Sequence, residues 1–312
     1  MKRRTAKPTI ESNDGMDIVV AGGSGFLGGA LVQALRSGGH QVSILTRRPV
    51  KPGDVQWNPA ETGAWVPAVQ GADAVVNLAG EAIAGARWTP ARKKMLRDSR
   101  LVSTRAIARA ILSAARPPVL LSASGIGYYG THDEQPLTED SPPGEDFLAT
   151  LCQEWERAAL DAASVTRVVL LRTGVVLGTG GGALAELARP FKLFAGGPIG
   201  SGSQFVSWVH LDDWVGLAQW AIATPAVAGP LNLTAPTPVT NADLAHALGT
   251  AMHRPSFVAA PAFAVRLIAG EMADAAILNG QRVLPAKALA HGYRFEHPTI
   301  ESALHSIFAP AG

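Results

Sequence analysis

The run Asp17–Thr46, DIVVAGGSGFLGGALVQALRSGGHQVSILT, limits the fold more than any other part of the chain. An apolar stretch leads into a glycine-rich turn. A segment with apolar residues at helical spacing follows, and then a second apolar stretch. Strand, helix and strand in that order form a βαβ unit, and unalternating apolar runs suit parallel strands covered on both faces. Gly22, Gly25 and Gly28 fall at the junction of the first strand and the helix. Glycine there permits the tight turn, brings backbone N–H groups close to a pyrophosphate and lets the helix pack on the strand. The spacing is Gly-x-x-Gly-x-x-Gly rather than Gly-x-Gly-x-x-Gly, and three glycines alone are weak evidence. Their setting between strand and helix is what points to dinucleotide binding. Phe26 and Leu27 lie within the same turn and join the expected cofactor contacts.

The end of the second strand indicates which dinucleotide. An acidic residue there would accept hydrogen bonds from both ribose hydroxyls of NAD. This chain instead has Thr46, Arg47 and Arg48. Two guanidinium groups suit a 2′-phosphate through charge-assisted hydrogen bonds. NADP is therefore the expected cofactor.

The alternation of short apolar runs with helical patterns continues to Gly178 through ADAVVNLAG, RLVSTRAIARAILSAA, PPVLLSAS and TRVVLLRTGVVLG. This predicts an α/β fold, a Rossmann-type doubly wound parallel sheet over residues 16–178. Residues 206–233, containing FVSWVH and GPLNLTA, are expected to return to that domain. Residues 179–205 and 234–312 are expected to form a smaller, mostly helical substrate domain, and residues 1–15 a mobile tail.

At 312 residues the chain is long enough for one large domain or two closely joined ones. Hydrophobic residues at 47% and charged residues at 17% supply a core and argue against disorder. A net charge of +2 gives no argument for nucleic acid or a membrane surface. No apolar run reaches the roughly 18 residues of a membrane span. The start, MKRRTAKPTIESNDG, lacks the apolar centre of a signal peptide. A single cysteine excludes an intrachain disulfide and fits a reducing cytosol, so a cytoplasmic location is expected. The expected partner is a small-molecule substrate, with a homodimer as the assembly kept open.

Longer motifs add a family resemblance. The phosphate loop, NLAGE at Asn77–Glu81, SASGIGYYG at Ser122–Gly130 and LRTGVVLG from Leu171 resemble the extended short-chain dehydrogenase/reductases. GGPIGSGSQFVSWVHLDD and NGQRVLPAKALAHGYRF are similar to an atypical NAD(P)-binding epimerase-family branch, whose members sometimes carry a cell-division-inhibitor label. The likeness runs from Met16 to Phe308. It implies that Leu78, Ala79 and Gly80 pass beside the cofactor and that Ser124 faces the nicotinamide. It also implies that Arg100, starting the helix behind the cleft, reaches a phosphate or ribose.

In that superfamily the helix after the serine motif carries Tyr-x-x-x-Lys. The tyrosine moves a proton, while the lysine lowers its pKa and binds the nicotinamide ribose. Here the helix register puts Leu148 and Cys152 at those positions, and Tyr-x-x-x-Lys occurs nowhere in the chain. Cys152 lies on a helical stripe with Phe147, Leu148, Leu151, Trp155 and Ala159, where a free thiol behaves as a small apolar filler touching the cofactor. A nucleophilic thiol would need an adjacent cation or a helix N-terminus, and neither adjoins it in sequence.

Tyr128 and Tyr129 are candidates for the missing acid, or else pack beneath the loop. Glu81 is either a proton carrier or a cap for the next turn. Gln204 and Trp208, after the glycine-rich stretch from Gly196, are the expected substrate contacts on a mobile closing loop. Asp212, next to His210, reads as a helix cap. No Gly-x-Ser-x-Gly elbow surrounds Ser24 or Ser124, and no zinc motif is present, so hydrolase and metal chemistry are not expected. Two readings remain: an oxidoreductase or epimerase-like enzyme, and an NADP(H)-binding protein that senses without turnover.

Overall fold

The computed structural model describes residues 15–132 and 134–309. The tail expected over residues 1–15 lies outside them, apart from Gly15. The first half runs β1 (Asp17–Ala21), α1 (Phe26–Ser37), β2 (Gln41–Thr46), β3 (Asp54–Gln56), α2 (Trp65–Gln70), β4 (Ala74–Asn77), α3 (Pro90–Leu112), β5 (Val119–Gly125), β6 (Pro136–Leu137), α4 (Phe147–Leu160) and β7 (Val168–Thr173). After it come β8 (Val175–Leu177), α5 (Ala183–Lys192), β9 (Phe205–Val206), β10 (Trp208–His210), α6 (Leu211–Ala223), β11 (Gly229–Leu233), β12 (Val239–Thr240) and α7 (Asn241–Met252). The chain ends with α8 (Ala262–Ala269), α9 (Glu271–Ala273), β13 (Arg282–Val283), α10 (Ala286–Ala290) and α11 (Ile300–Phe308).

Seven parallel strands form the main sheet in the order β11-β7-β5-β4-β1-β2-β3. Strand order reverses between β1 and β4, and in open α/β sheets that switch point is where ligands bind. One apolar layer packs α1 and α6 on the sheet through Leu31, Leu35, Trp214 and Leu217. The opposite layer packs α2 and α3 through Trp65, Val69, Ile107 and Ile111. Both faces of β1 and β4 are thereby covered, as their unbroken Val and Ile runs require. Residues around α5, α7 and α11 have a core of their own, containing Phe191, Trp208, Leu248 and Leu304.

Of residues 206–233, α6 packs on the main sheet and β11 joins it, while β10 pairs with β8 and β9 with β12. Two details differ from the expectation. α3 begins at Pro90 rather than Arg100, with the Thr89 hydroxyl accepting from Arg92 N–H at 3.2 Å. Its first turns, PARKKMLRD, are too highly charged to show an apolar stripe. Arg100 therefore projects from mid-helix. The cap of α6 is His210, whose Nδ1 accepts the Asp212 N–H at 3.1 Å, so Asp212 is not the cap.

Candidate functional site

The phosphate turn is shaped by close backbone approaches. Gly22 has φ +82°, and a Cβ there would stand 2.8 Å from the Leu78 carbonyl. A Cβ on Gly28 would lie 2.2 Å from the Gly22 oxygen, so any larger residue pushes helix and turn apart. Gly25 caps α1 without a side-chain hydrogen bond, and no acidic residue occupies the first turn. The first N–H groups of α1 are left for an anion. A pyrophosphate fits this turn on these grounds. Phe26 turns away under Gly181 and Gly182, and Leu27 is half-buried against the α1 face of the core.

Thr46 is partly buried at the end of β2, while Arg47 and Arg48 are exposed. Among the described residues neither arginine has a carboxylate partner. The Thr46 hydroxyl accepts the Arg48 N–H at 3.3 Å, which shapes the turn that presents both side chains. Across the switch point, Asn77 is fully buried. Its Nδ2 donates to the Thr104 hydroxyl at 2.8 Å and its Oδ1 accepts the Ala79 N–H at 3.2 Å. These bonds set the path of Leu78, Ala79 and the exposed Gly80 along the sheet edge. Glu81 pairs with Arg92 at 3.3 Å on the surface, which favours the turn-fixing reading over a proton carrier.

The far end of the edge holds a buried polar cluster. Arg172 grips Glu156 through two bonds of 2.8 Å, from Nε to Oε1 and from Nη2 to Oε2. The Ser124 hydroxyl donates to the same Oε1 at 2.7 Å. Arg172 Nη1 reaches the Tyr129 phenol at 3.0 Å, and that phenol donates to Asn232 Oδ1 at 2.7 Å. The ring of Tyr128 lies over the guanidinium at 3.4 Å. Burial pulls Arg172 towards deprotonation, but the Glu156 bonds and charge outweigh it and the net shift is upward. Burial also holds the Tyr129 phenol at about 12, against the pull of Arg172.

These positions change the roles expected of four residues. Ser124 is 6% exposed and its proton is committed to Glu156, so it is a member of the cluster rather than a group facing the cleft. Tyr129 is fully buried and bonded on both sides, so it cannot supply a proton to a substrate. Trp208 is also fully buried, in the core under α7, with Nε1 donating to the Thr237 carbonyl. It presents no exposed surface to a substrate. Gln204 spends its amide N–H groups on the Ile199 and Ile277 carbonyls at 3.0 and 3.1 Å, tying segments together. The loop before it is pinned rather than mobile: Ile199 pairs with Ala260, and a Cβ on Gly197 would sit 2.4 Å from the Val258 carbonyl. Its glycines serve close packing. Tyr128, partly exposed, is the remaining phenol.

Cys152 is 6% exposed on α4. A Cβ on Gly125 would lie 3.9 Å from its sulfur, and one on Gly127 would lie 3.1 Å from Leu148 Cβ. Leucine and thiol thus face the end of β5. Burial, reinforced by Glu156, pushes the thiol up to about 11. It stays a neutral filler. Among the described residues His210, Asp212 and His297 offer possible metal-ligand atoms within 4.8 Å of one another. His210 Nδ1 is already taken by the helix cap, and its ring stacks on His297 at 3.9 Å between centroids. Burial and then the neighbouring His297 lower the His210 pKa to about 4.

Residues 18–233 match the model of the NAD dependent epimerase/dehydratase family. The chain belongs to that family. Residues 260–307 of this family member match a domain of unknown function, DUF1731. An epimerase family protein of Mycobacterium tuberculosis is 44% identical, covering 92% of this chain and 96% of its own. A homologue of epimerase family protein SDR39U1 from Arabidopsis thaliana, described as chloroplastic, is 43% identical over 94% of this chain and 86% of its own. The crystal structure of human SDR39U1 with NADPH superposes with a TM-score of 0.85 at 38% identity, covering 93% of this chain and 98% of that one. MoeE5 with UDP-glucose and NAD, 20% identical with a TM-score of 0.75, speaks to the shared fold alone. Among the described residues no helix of this family member is long and apolar enough to cross a membrane.

Glu156, Arg172, Asn232 and Asn77 had no assigned role in the sequence. For Arg172 in VVLLRT, Asn232 and Asn77 the signal was a charged or amide residue inside an otherwise apolar run, whereas Glu156, between Trp155 and Arg157 in QEWER, carried none. Such a residue must find a partner once buried.

Proposed function

We propose that this epimerase-family protein binds NADP(H) and acts as an oxidoreductase or epimerase-like enzyme on a small polar substrate. The observation that carries the cofactor is the exposed Arg47–Arg48 pair at the end of β2, without a carboxylate beside it. The NADPH held by the human relative supports the same reading. The uncapped start of α1 takes the pyrophosphate, and the Asn77-fixed turn at Leu78 and Ala79 lines the ribose path. Bound there, the nicotinamide supplies hydride exchange with a carbonyl or alcohol. Tyr128 is the proton-transfer candidate this chain offers, its ring held by Arg172.

Fluorescence titration tests the reading. NADPH should bind more tightly than NADH, and R47A/R48A should remove that preference, with a loss of about tenfold or more in NADPH affinity. Equal affinities that ignore the double substitution overturn it. A second reading, an NADP(H) sensor without turnover, is favoured by Leu148 and Cys152 facing the end of β5. A carbonyl and alcohol panel separates the two: turnover that Tyr128→Phe lowers by about 10²–10⁴ supports the enzyme. No turnover alongside firm NADPH binding supports the sensor.

A further inference from the structure

Large apolar side chains gather on one part of the surface. Leu193, Phe194, Phe257, Phe263, Leu267 and Ile268 are exposed over 61–81% of their area. Scattered singly such residues are ordinary, but a group of them marks a place where something docks. Backbone pairing brings their segments together. Val258 N–H donates to the Gly196 carbonyl at 3.0 Å, Ala260 N–H to Pro198 at 2.9 Å, and Gly200 N–H back to Ala260 at 2.9 Å. The chain then enters α8 directly through Pro261. A Cβ on Gly200 would lie 3.9 Å from Ala262 Cβ, so the first turn of α8 stays against the same loop. Phe263 and Leu267, one turn apart, share a face of that helix.

The backbone is strained at the same place. Phe194 and His253 have φ of +58° and +53°, and no other non-glycine among the described residues has a positive φ. A bulky residue disfavours that conformation. At Phe194 it puts a ring in solvent, where little packing inside the chain offsets the strain.

The charge around this surface is of one sign. Residues 187–211 and 244–270 contain no Asp or Glu, yet carry Arg189, Lys192, Arg254 and Arg266. The carboxylates on α5 and just after α8 are engaged: Glu186 lies 3.9 Å from Arg189, Glu271 pairs with Lys93 at 2.6 Å and Asp274 with Arg266 at 2.9 Å. Lys192 and Arg254 have no carboxylate partner among the described residues, and the Arg254 guanidinium lies 4.5 Å over the Phe194 ring. A net charge of +2 for the whole chain averages out this asymmetry.

The charge decides the occupant. Side chains so exposed stand out from the surface and enclose no ligand. A two-fold contact with a second copy would set the patch against itself, basic rim on basic rim. The chain's own start, MKRRTAKP, is basic too. Apolar anchors within a cationic rim suit the interface of an anionic bilayer, where rings enter the acyl boundary and Lys and Arg meet headgroups. We infer that this surface docks the protein peripherally on an anionic lipid membrane, with Phe194, Phe257, Phe263 and Leu267 inserted and Lys192 and Arg254 on the headgroups. Arg87, in the loop leading from the β4 edge, donates to the Leu267 and Ile268 carbonyls, so the docked face is tied to that edge. The inference does not depend on the cofactor reading.

Flotation of the full chain with vesicles tests it. Vesicles of equal parts phosphatidylcholine and phosphatidylglycerol should bind about tenfold or more tightly than phosphatidylcholine alone, and high salt should remove the difference. F257S/L267S replaces two exposed anchors, so the urea midpoint should hold while binding to the mixed vesicles falls about tenfold or more. K192E/R254E should abolish the preference for phosphatidylglycerol, and it keeps the test decisive should the first variant not fold. Equal binding to both vesicles, no binding to either, or variants that bind as the parent does overturns the inference. A dimer in sedimentation that F257S/L267S dissociates assigns the surface to a second copy and overturns it as well.

Discussion

The two ends of the proposed cofactor path are built in different ways. On the β2 side the site consists of backbone and exposed charge: Gly22, Gly28, the uncapped start of α1, Arg47 and Arg48. On the β5 side it consists of buried side chains that hold one another, Ser124, Glu156, Arg172, Tyr129 and Asn232. Changes to Arg47 and Arg48 should alter binding and spare the fold, whereas a larger residue at Gly22 or Gly28 would force the turn and α1 apart. Changes to the β5 side should unfold the protein before they report on chemistry. A polar residue at a sheet edge is thus no guide to catalysis until its hydrogen bonds are traced.

The sharpest way to break this contrast is Glu156→Ala. It leaves Arg172 as an uncompensated buried charge, and a loss of about 3–5 kcal/mol is expected, read from urea unfolding. Replacing both partners, Glu156→Leu with Arg172→Met, should restore most of that stability, because the pair is disfavoured by desolvation as well as favoured by attraction. A Glu156→Ala chain as stable as the parent would remove the distinction between the two ends. By the same reasoning R47A/R48A should leave the urea midpoint within about 0.5 kcal/mol while removing the preference for NADPH.

A third region sharpens the comparison through pH. His210 has a folded pKa near 4, below its ordinary 6.5, because burial and His297 oppose its charge. The unfolded chain then binds the extra proton first, so stability falls as pH drops from about 6.5 towards 4, by on the order of 2 kcal/mol. His210→Asn keeps a capping acceptor for α6 and should flatten that slope. A slope that survives the substitution would assign the acid sensitivity elsewhere.

The smallest effect is expected at Cys152. Cys152→Ala should change NADPH affinity by less than about tenfold, 1.4 kcal/mol. With the thiol pushed up to about 11, only about one molecule in a thousand is ionised at pH 8, so alkylation should be slow and keep rising with pH. Rapid alkylation at neutral pH, blocked by NADPH, would make the thiol reactive after all.

The sequence by itself determined the sheet and the glycine turn, and it carried the cofactor expectation. Those features depend on neighbours in the chain: apolar runs make strands, glycines permit the turn, and Arg47 and Arg48 directly follow β2. The roles of Ser124, Tyr129 and Trp208 were decided only by the tertiary structure. Their partners lie on other elements: Glu156 is 32 residues from Ser124, Asn232 is 103 from Tyr129, and the Thr237 carbonyl is 29 from Trp208. Arg100 was legible as a cation, but not as one without a carboxylate partner among the described residues. Its isolation follows from Glu81 turning to Arg92 and from Trp155 covering its face. Local spacing sets backbone conformation, but burial sets the hydrogen bonds a polar side chain must make, and burial exists only once distant segments have packed.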